Sequence, residues 1–255
     1  MNPHNISEAE RILADTLVRY PMMFCSACYF GDPSDKSMKV NNGTMTLIKH
    51  NSKRYGITNY HVVQEYRNRF LDEPDIRFCV GNVEIDLESA VLDEDRNLDL
   101  CTLNFDEYDE ESFGSGGDVP TRFLNIENFD TIGLKEGDYV LFGGYPGVWR
   151  ERPTSNHLIF DTLSTGGTQV IDVTPRNIIC ELAIDKCIIS LSNHRERFPD
   201  NLGGLSGGPV FFHELSGAGI SIFKFVGIIY EHMQDFDSVL IRPASFIDND
   251  FMIKR

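Results

Sequence analysis

The chain has 255 residues, 41% hydrophobic and 24% charged, which suits a globular protein with one large core or two smaller ones. Its formal net charge of −16 argues against nucleic acid or an anionic membrane as partner, because phosphate binding requires a basic stripe. Apolar runs stay well short of the roughly 20 residues that a membrane-spanning helix needs, so no membrane partner is expected.

Between Met1 and Tyr20 no basic segment leads into an apolar stretch, so no secretory leader is read and a cytoplasmic location is expected. Ser7-Glu8-Ala9-Glu10 has the form of a capping box, and Ile12, Leu13, Thr16, Leu17 and Tyr20 then repeat at helical spacing before Pro21. This predicts an amphipathic helix over 7–20, within an N-terminal segment 1–22 that packs on the outside of the main fold. Cys25-Ser26-Ala27-Cys28 carries the spacing of a metal or redox pair. No second Cys or His pair follows to complete four ligands, and Phe24, Tyr29 and Phe30 alternate around it as in a strand. In a reducing compartment the six cysteines read as buried thiols, and no metal or cofactor is expected.

Short runs rich in β-branched and aromatic residues follow at 24–30, 43–50, 54–58, 76–80, 83–91 and 99–105. Asp32-Pro33, Asn41-Asn42-Gly43 and Gly81-Asn82 separate them, which predicts a small antiparallel barrel over 23–115. Residues 106–118 are acidic and then glycine-rich, the composition of an exposed linker. Further runs at 138–143, 157–163, 168–173, 177–184, 187–191, 209–213, 222–230 and 238–241 predict a second barrel over 116–255. Chemistry is expected in the cleft between the two, since pockets favour such interfaces.

Three segments carry that chemistry. In Tyr55-Gly56-Ile57-Thr58-Asn59-Tyr60-His61-Val62-Val63 a strand ends and a histidine sits on the turn that follows. An imidazole there can take and return a proton near neutral pH, although a lone histidine also serves as a packed or surface residue. In Arg96-Asn97-Leu98-Asp99-Leu100-Cys101-Thr102-Leu103 an aspartate at the start of a strand is flanked by apolar residues. Its partly buried carboxylate needs hydrogen bonds, which either the ring N–H of His61 or a capped turn would supply. Asn201-Leu202-Gly203-Gly204-Leu205-Ser206-Gly207-Gly208-Pro209 surrounds a serine with glycines. Such glycines permit positive φ and let the amides of Gly204 and Ser206 converge on an oxyanion, though a glycine-rich turn with an incidental serine fits as well. Gly204-x-Ser206-x-Gly208 also fits the nucleophile elbow of α/β-hydrolases. That fold needs alternating helices and an acid before a later histidine, and the histidines after Ser206 are His213 and His232.

Taken together, the three segments resemble those of trypsin-like serine peptidases, most closely the bacterial high-temperature-requirement proteases. Thr58-x-x-His61-Val62-Val63 is similar to that family's histidine motif, and Asp99 to Leu103 loosely to its Asp-Leu-Ala-Leu-Leu strand. Gly204 to Pro209 matches Gly-Asn-Ser-Gly-Gly-Pro except at Leu205, and the order His61, Asp99, Ser206 is the family's. Gly137-Asp138-Tyr139-Val140 resembles the opening of the family's second barrel, and Val226-Gly227-Ile228-Ile229 its cleft-lining strand, so the likeness runs from about 43 to 247. The resemblance implies an all-β fold of two six-stranded antiparallel β-barrels, a Ser-His-Asp triad acting through an acyl-enzyme, and a protein or peptide substrate.

Departures qualify it. Leu205 replaces the aspartate that receives a new N-terminus in trypsin, Val62 removes the histidine-loop disulfide, and no PDZ-like extension follows residue 255. Asp200 stands where trypsin carries the acid that binds basic side chains, while Tyr230-Glu231-His232 lacks the glycine that keeps that pocket open. The expected substrate-binding residues are therefore Asp200, Tyr230, Glu231 and His232. With Leu205 and a flexible stretch at 192–204, the expectation includes an enzyme held latent until a regulatory partner or specific substrate docks. The alternative is a protease-shaped binding module without catalysis.

Overall fold

The computed structural model describes residues 7–31, 39–114, 119–129, 132–154, 157–182, 187–188, 198 and 201–255. Helix α1 (Glu8–Met22) opens with the predicted capping box: the Ser7 hydroxyl accepts from the Glu10 amide at 3.3 Å, and the Glu10 carboxylate accepts from the Ser7 amide at 2.7 Å. It runs past Tyr20 through Pro21, whose missing N–H forfeits one bond to the preceding turn while Pro21 and Met22 gain burial. Ser164 Oγ donates to the Val18 carbonyl at 2.6 Å, which docks the helix on the second half of the molecule.

The first sheet comprises β1 (Cys25–Phe30), β2 (Asn41–His50), β3 (Lys53–Thr58), β4 (Phe78–Val80), β5 (Val83–Ile85), β6 (Val91–Asp95), β7 (Leu100–Asn104) and β8 (Leu124–Asn125). They lie in the order β5-β4-β1-β2-β3-β7-β6, with β8 parallel to β2. Alternation turns Met45, Leu47, Leu103 and Phe105 inward onto Phe30, Phe78 and Phe113. Among the described residues no pairing joins the edges β5 and β6, so this sheet curls around its core without closing.

The second sheet is built on β9 (Tyr139–Gly144), with β12 (Leu163–Thr165) and β15 (Cys187–Ile188) beyond it; β10 (Arg150–Thr154) and β11 (His157–Phe160) form a separate ribbon. Its other strands are β13 (Thr168–Val173), β14 (Ile178–Glu181), β16 (Pro209–Leu215), β17 (Ser221–Met233) and β18 (Ser238–Pro243). Because β13 pairs with both β14 and β9, the six strands β9-β13-β14-β18-β17-β16 close into a barrel. The all-β expectation holds, with one closed six-stranded barrel and one half-closed partner. A third apolar cluster welds them: Ile48, Ile57, Leu98 and Leu100 meet Ile228, Ala244 and Phe251, whose ring stacks on Tyr55 at 3.6 Å.

Four expectations change. A 13-residue helix, α2 (Tyr60–Asp72), follows β3 where only a turn was read; its short run of buried positions, Val62 and Val63, gives a weak helical pattern. The run 83–91 is broken by α3 (Leu87–Ala90), which Asp86 caps by accepting from the Ser89 amide at 3.4 Å. The run 157–163 likewise divides between β11 and β12. Within the acidic 106–118 stretch, Phe113 is fully buried in the first core, so its described part is a strap rather than a free linker. Residues 115–118, 183–184 and 189–191, and most of 192–204, lie outside the described residues. Cys25 and Cys28 sit three apart on a strand, hence on opposite faces: Cys28 joins the first core and Cys25 a cluster with Met22 and Tyr145.

Candidate active site

His61 reaches the site because β3 stops at Thr58 and α2 starts at Tyr60, which puts the imidazole in the first helical turn. Asn59, between them, is fully buried, and its Nδ2 donates to the Asp99 carbonyl at 2.8 Å. Val62 and Val63 turn into the first core and leave the His61 side chain 50% exposed.

Asp99 is the last residue of the turn before β7 rather than a strand residue, and its φ of +53° lies in the left-handed region. Aspartate tolerates that region better than most residues. Asp95 shapes the turn, its Oδ1 accepting from the amides of Asn97 and Leu98 at 2.8 Å each. The Asp99 carboxylate then holds His61 at two points. Oδ1 accepts from the His61 amide at 2.9 Å, and Oδ2 lies 2.7 Å from the ring Nδ1. With the proton on Nδ1 donated to Oδ2, Nε2 is left as a proton acceptor.

Ser206 sits on the loop that leads into β16 and is half-buried. Leu202 and Leu205 anchor this loop by entering the second core, where Leu205 is 1% exposed. The loop is also bonded to β2 of the first sheet. Thr44 N donates to the Ser206 carbonyl at 2.8 Å, Thr44 Oγ1 to the Gly204 carbonyl at 2.7 Å, and Thr46 Oγ1 to the Gly207 carbonyl at 2.7 Å. Thr58 Oγ1 donates to the Thr44 carbonyl at 2.9 Å, so the same threonine bonds the serine loop and the strand end that leads to His61. This approach needs glycine at 207: its φ is +90°, and a Cβ there would collide with the Thr44 carbonyl.

A trans peptide points its C=O and N–H in opposite directions. The Gly203 carbonyl accepts from Gly147 N at 2.6 Å, which turns the Gly204 N–H the other way. The Leu205 carbonyl accepts from Gly208 N at 2.8 Å, which does the same for the Ser206 N–H. The Leu205 amide between them is tied back to the Leu202 carbonyl at 3.1 Å. Among the described residues the amides of Gly204 and Ser206 donate to no protein atom. Two outward N–H groups thus flank a tethered amide beside the serine.

The substrate-binding expectations are less complete. Asp200 lies outside the described residues. The β17–β18 register slips between Ile229 and Glu231, so Tyr230 is the extra residue of a bulge. Its phenol donates to Asn177 Oδ1 at 3.2 Å, and burial pushes its pKa up. Glu231 is exposed; His232 is half-buried, and burial lowers its pKa. Thr44, Asn59 and Gly147, which bond the loops of the site, carry no signal in the sequence: each is an ordinary residue in a strand or turn pattern, and its part appears only when the two sheets meet.

No family model and no curated protein matches the chain. Among solved structures it is similar to the Rv3671c protease of M. tuberculosis in its active form, at 14% identity and TM-score 0.45, over 96% of this chain and 89% of that one. It is also similar to Deg5, at 13% identity and TM-score 0.48, over 95% of this chain and 93% of that one. A human heparin binding protein is similar at 13% identity and TM-score 0.46, over 86% of each chain.

Proposed function

We propose that the protein is a serine endopeptidase with Ser206 as nucleophile, His61 as base and Asp99 orienting the base. His61 Nε2 removes the hydroxyl proton as Ser206 attacks a peptide carbonyl, and the amides of Gly204 and Ser206 hold the oxyanion. The proton on His61 passes to the leaving amine, and water then hydrolyses the acyl-enzyme with His61 again as base. This chemistry calls for no metal or cofactor. The observation that carries the reading is the two-point hold of Asp99 on His61, which fixes one tautomer of the base. No hydrogen bond to the Ser206 hydroxyl occurs among the described residues, and in unliganded peptidases that contact commonly tightens only when substrate docks.

The latency expected from the sequence takes a narrower form in this reading. Leu205 fills the second core, and Gly147 N holds the Gly203 carbonyl, which supports an oxyanion hole that needs no N-terminal ammonium to order it. A regulatory partner in the cytoplasm would then govern access to the cleft rather than assemble the hole. The substrate class is a protein or peptide. The test is labelling by a fluorophosphonate, with casein cleavage in parallel: the native protein reacts and Ser206→Ala does not. Absence of labelling in the folded native protein would favour the non-catalytic binding module instead.

A further inference from the structure

Arg242, on β18, is 5% exposed, and among the described residues no carboxylate forms an ion pair with it. Its Nε donates to the Leu98 carbonyl at 2.6 Å, and its Nη1 donates to the Arg176 carbonyl at 2.6 Å and to Asn177 Oδ1 at 2.8 Å. Its guanidinium carbon lies 4.2 Å from the centre of the Tyr230 ring, within cation–π range. Leu98 immediately precedes Asp99 on the first sheet's turn, whereas Arg176 and Asn177 form the turn between β13 and β14. One side chain therefore ties the carboxylate's turn to the second barrel.

A buried cation without a counter-ion is costly, and bonds to neutral carbonyls offset that cost only in part. A lone neutral donor would reach one of these turns, whereas the guanidinium fork reaches both. The charged or titratable groups bearing on it are Tyr230 first, then Arg176 and Asp99, with Glu231 beside Tyr230 on β17. Burial pulls the Arg242 pKa down, yet a guanidinium starts so high that it stays charged at neutral pH.

We propose that Arg242 is a positioning residue of the catalytic centre: its guanidinium staples the Asp99 turn to the second barrel. The proposal rests on the peptidase reading. The planar fork bonds both turns at once, so the carboxylate that holds His61 is fixed relative to the serine loop's own barrel.

The experiment measures kcat and KM for the native protein, Arg242→Met and Arg242→Lys, with the proton NMR resonance of the His61 Nδ1–H as a second readout. Arg242→Met is expected to lower kcat roughly tenfold at similar KM and to shift that resonance, because the Asp99 turn is no longer held. Arg242→Lys keeps the charge but cannot bond both turns, and should behave as Arg242→Met does. A native kcat and a native resonance in folded Arg242→Met, or full recovery in Arg242→Lys, overturns the assignment. If circular dichroism shows Arg242→Met unfolded, Arg242→Lys decides alone: a lowered kcat at similar KM supports it, and a native kcat overturns it. The resonance needs no turnover, so a native protein inert to fluorophosphonate sinks the peptidase reading separately.

Discussion

In the first sheet the functional geometry is carried by side chains: the Asp99 carboxylate holds His61, and the Asn59 amide holds the Asp99 turn. In the second it is carried by main chain: Gly203, Gly204, Leu205, Ser206 and Gly207 are each fixed through a backbone carbonyl or amide, with Leu202 and Leu205 as plugs in the core. Under the proposed peptidase reading, the difference has a physical basis. A base must change charge during turnover, so its partner is an ionised group on a half-exposed rim. An oxyanion hole works by being already oriented, which a loop achieves best when its peptide planes cannot rotate. The first half can therefore be tuned residue by residue, whereas the second fails together with the local fold.

Gly207→Ala should test this division most severely. The added methyl meets the Thr44 carbonyl and Thr58 Oγ1 at a φ of +90°, so relief requires the sheets to part. A stability loss of about 3 kcal/mol and near-complete loss of fluorophosphonate reactivity are expected together. Gly217→Ala is the control: an added Cβ there has nothing within 4 Å, and the melting temperature should hold. Asp99→Asn should separate what Gly207→Ala joins. The amide keeps the shape but loses the charge that fixes the His61 tautomer, so kcat falls by about 10⁴. Denaturant unfolding should show less than about 1 kcal/mol of change, because the group is partly exposed. If Asp99→Asn unfolds the protein as Gly207→Ala does, the division between side-chain and main-chain halves is wrong.

Much of this was legible in the sequence, and for reasons that differ by segment. The capping box at Ser7 and Glu10 is a local pattern, and the helix begins where it says. The glycines around Ser206 announce positive φ, and Gly204 and Gly207 have it. Helix α2 leaves no period in the sequence because its inward face is little more than Val62 and Val63. Asp99 has the sequence pattern of a strand residue because its apolar neighbours Leu98 and Leu100 imitate alternation; the left-handed turn that aims its carboxylate leaves no such mark. Thr44 and Arg242 were invisible for a deeper reason. Each acts across the seam between two sheets, on partners more than a hundred positions away in the chain.

The smallest effect concerns histidines held in a second way. His61 is held by a carboxylate, whereas His213 and His232 on β16 and β17 are pushed below the usual imidazole range, first by burial. Glu214 and Asp237 pull the two back only in part. The folded protein keeps both rings neutral at a pH where the unfolded chain, titrating near 6.5, already takes up protons. The unfolded state thus binds more protons, so the stability these rings contribute is complete above about pH 6.5 and drains as pH falls toward their folded values. Melting temperature should decline between about pH 7.5 and 5.5, and His213→Phe, beside Phe223 at a ring distance of 4.9 Å, should flatten that decline. His232→Gln should flatten it further. A double variant that keeps the native slope would mean that burial does not hold these rings neutral and that other groups set the pH dependence.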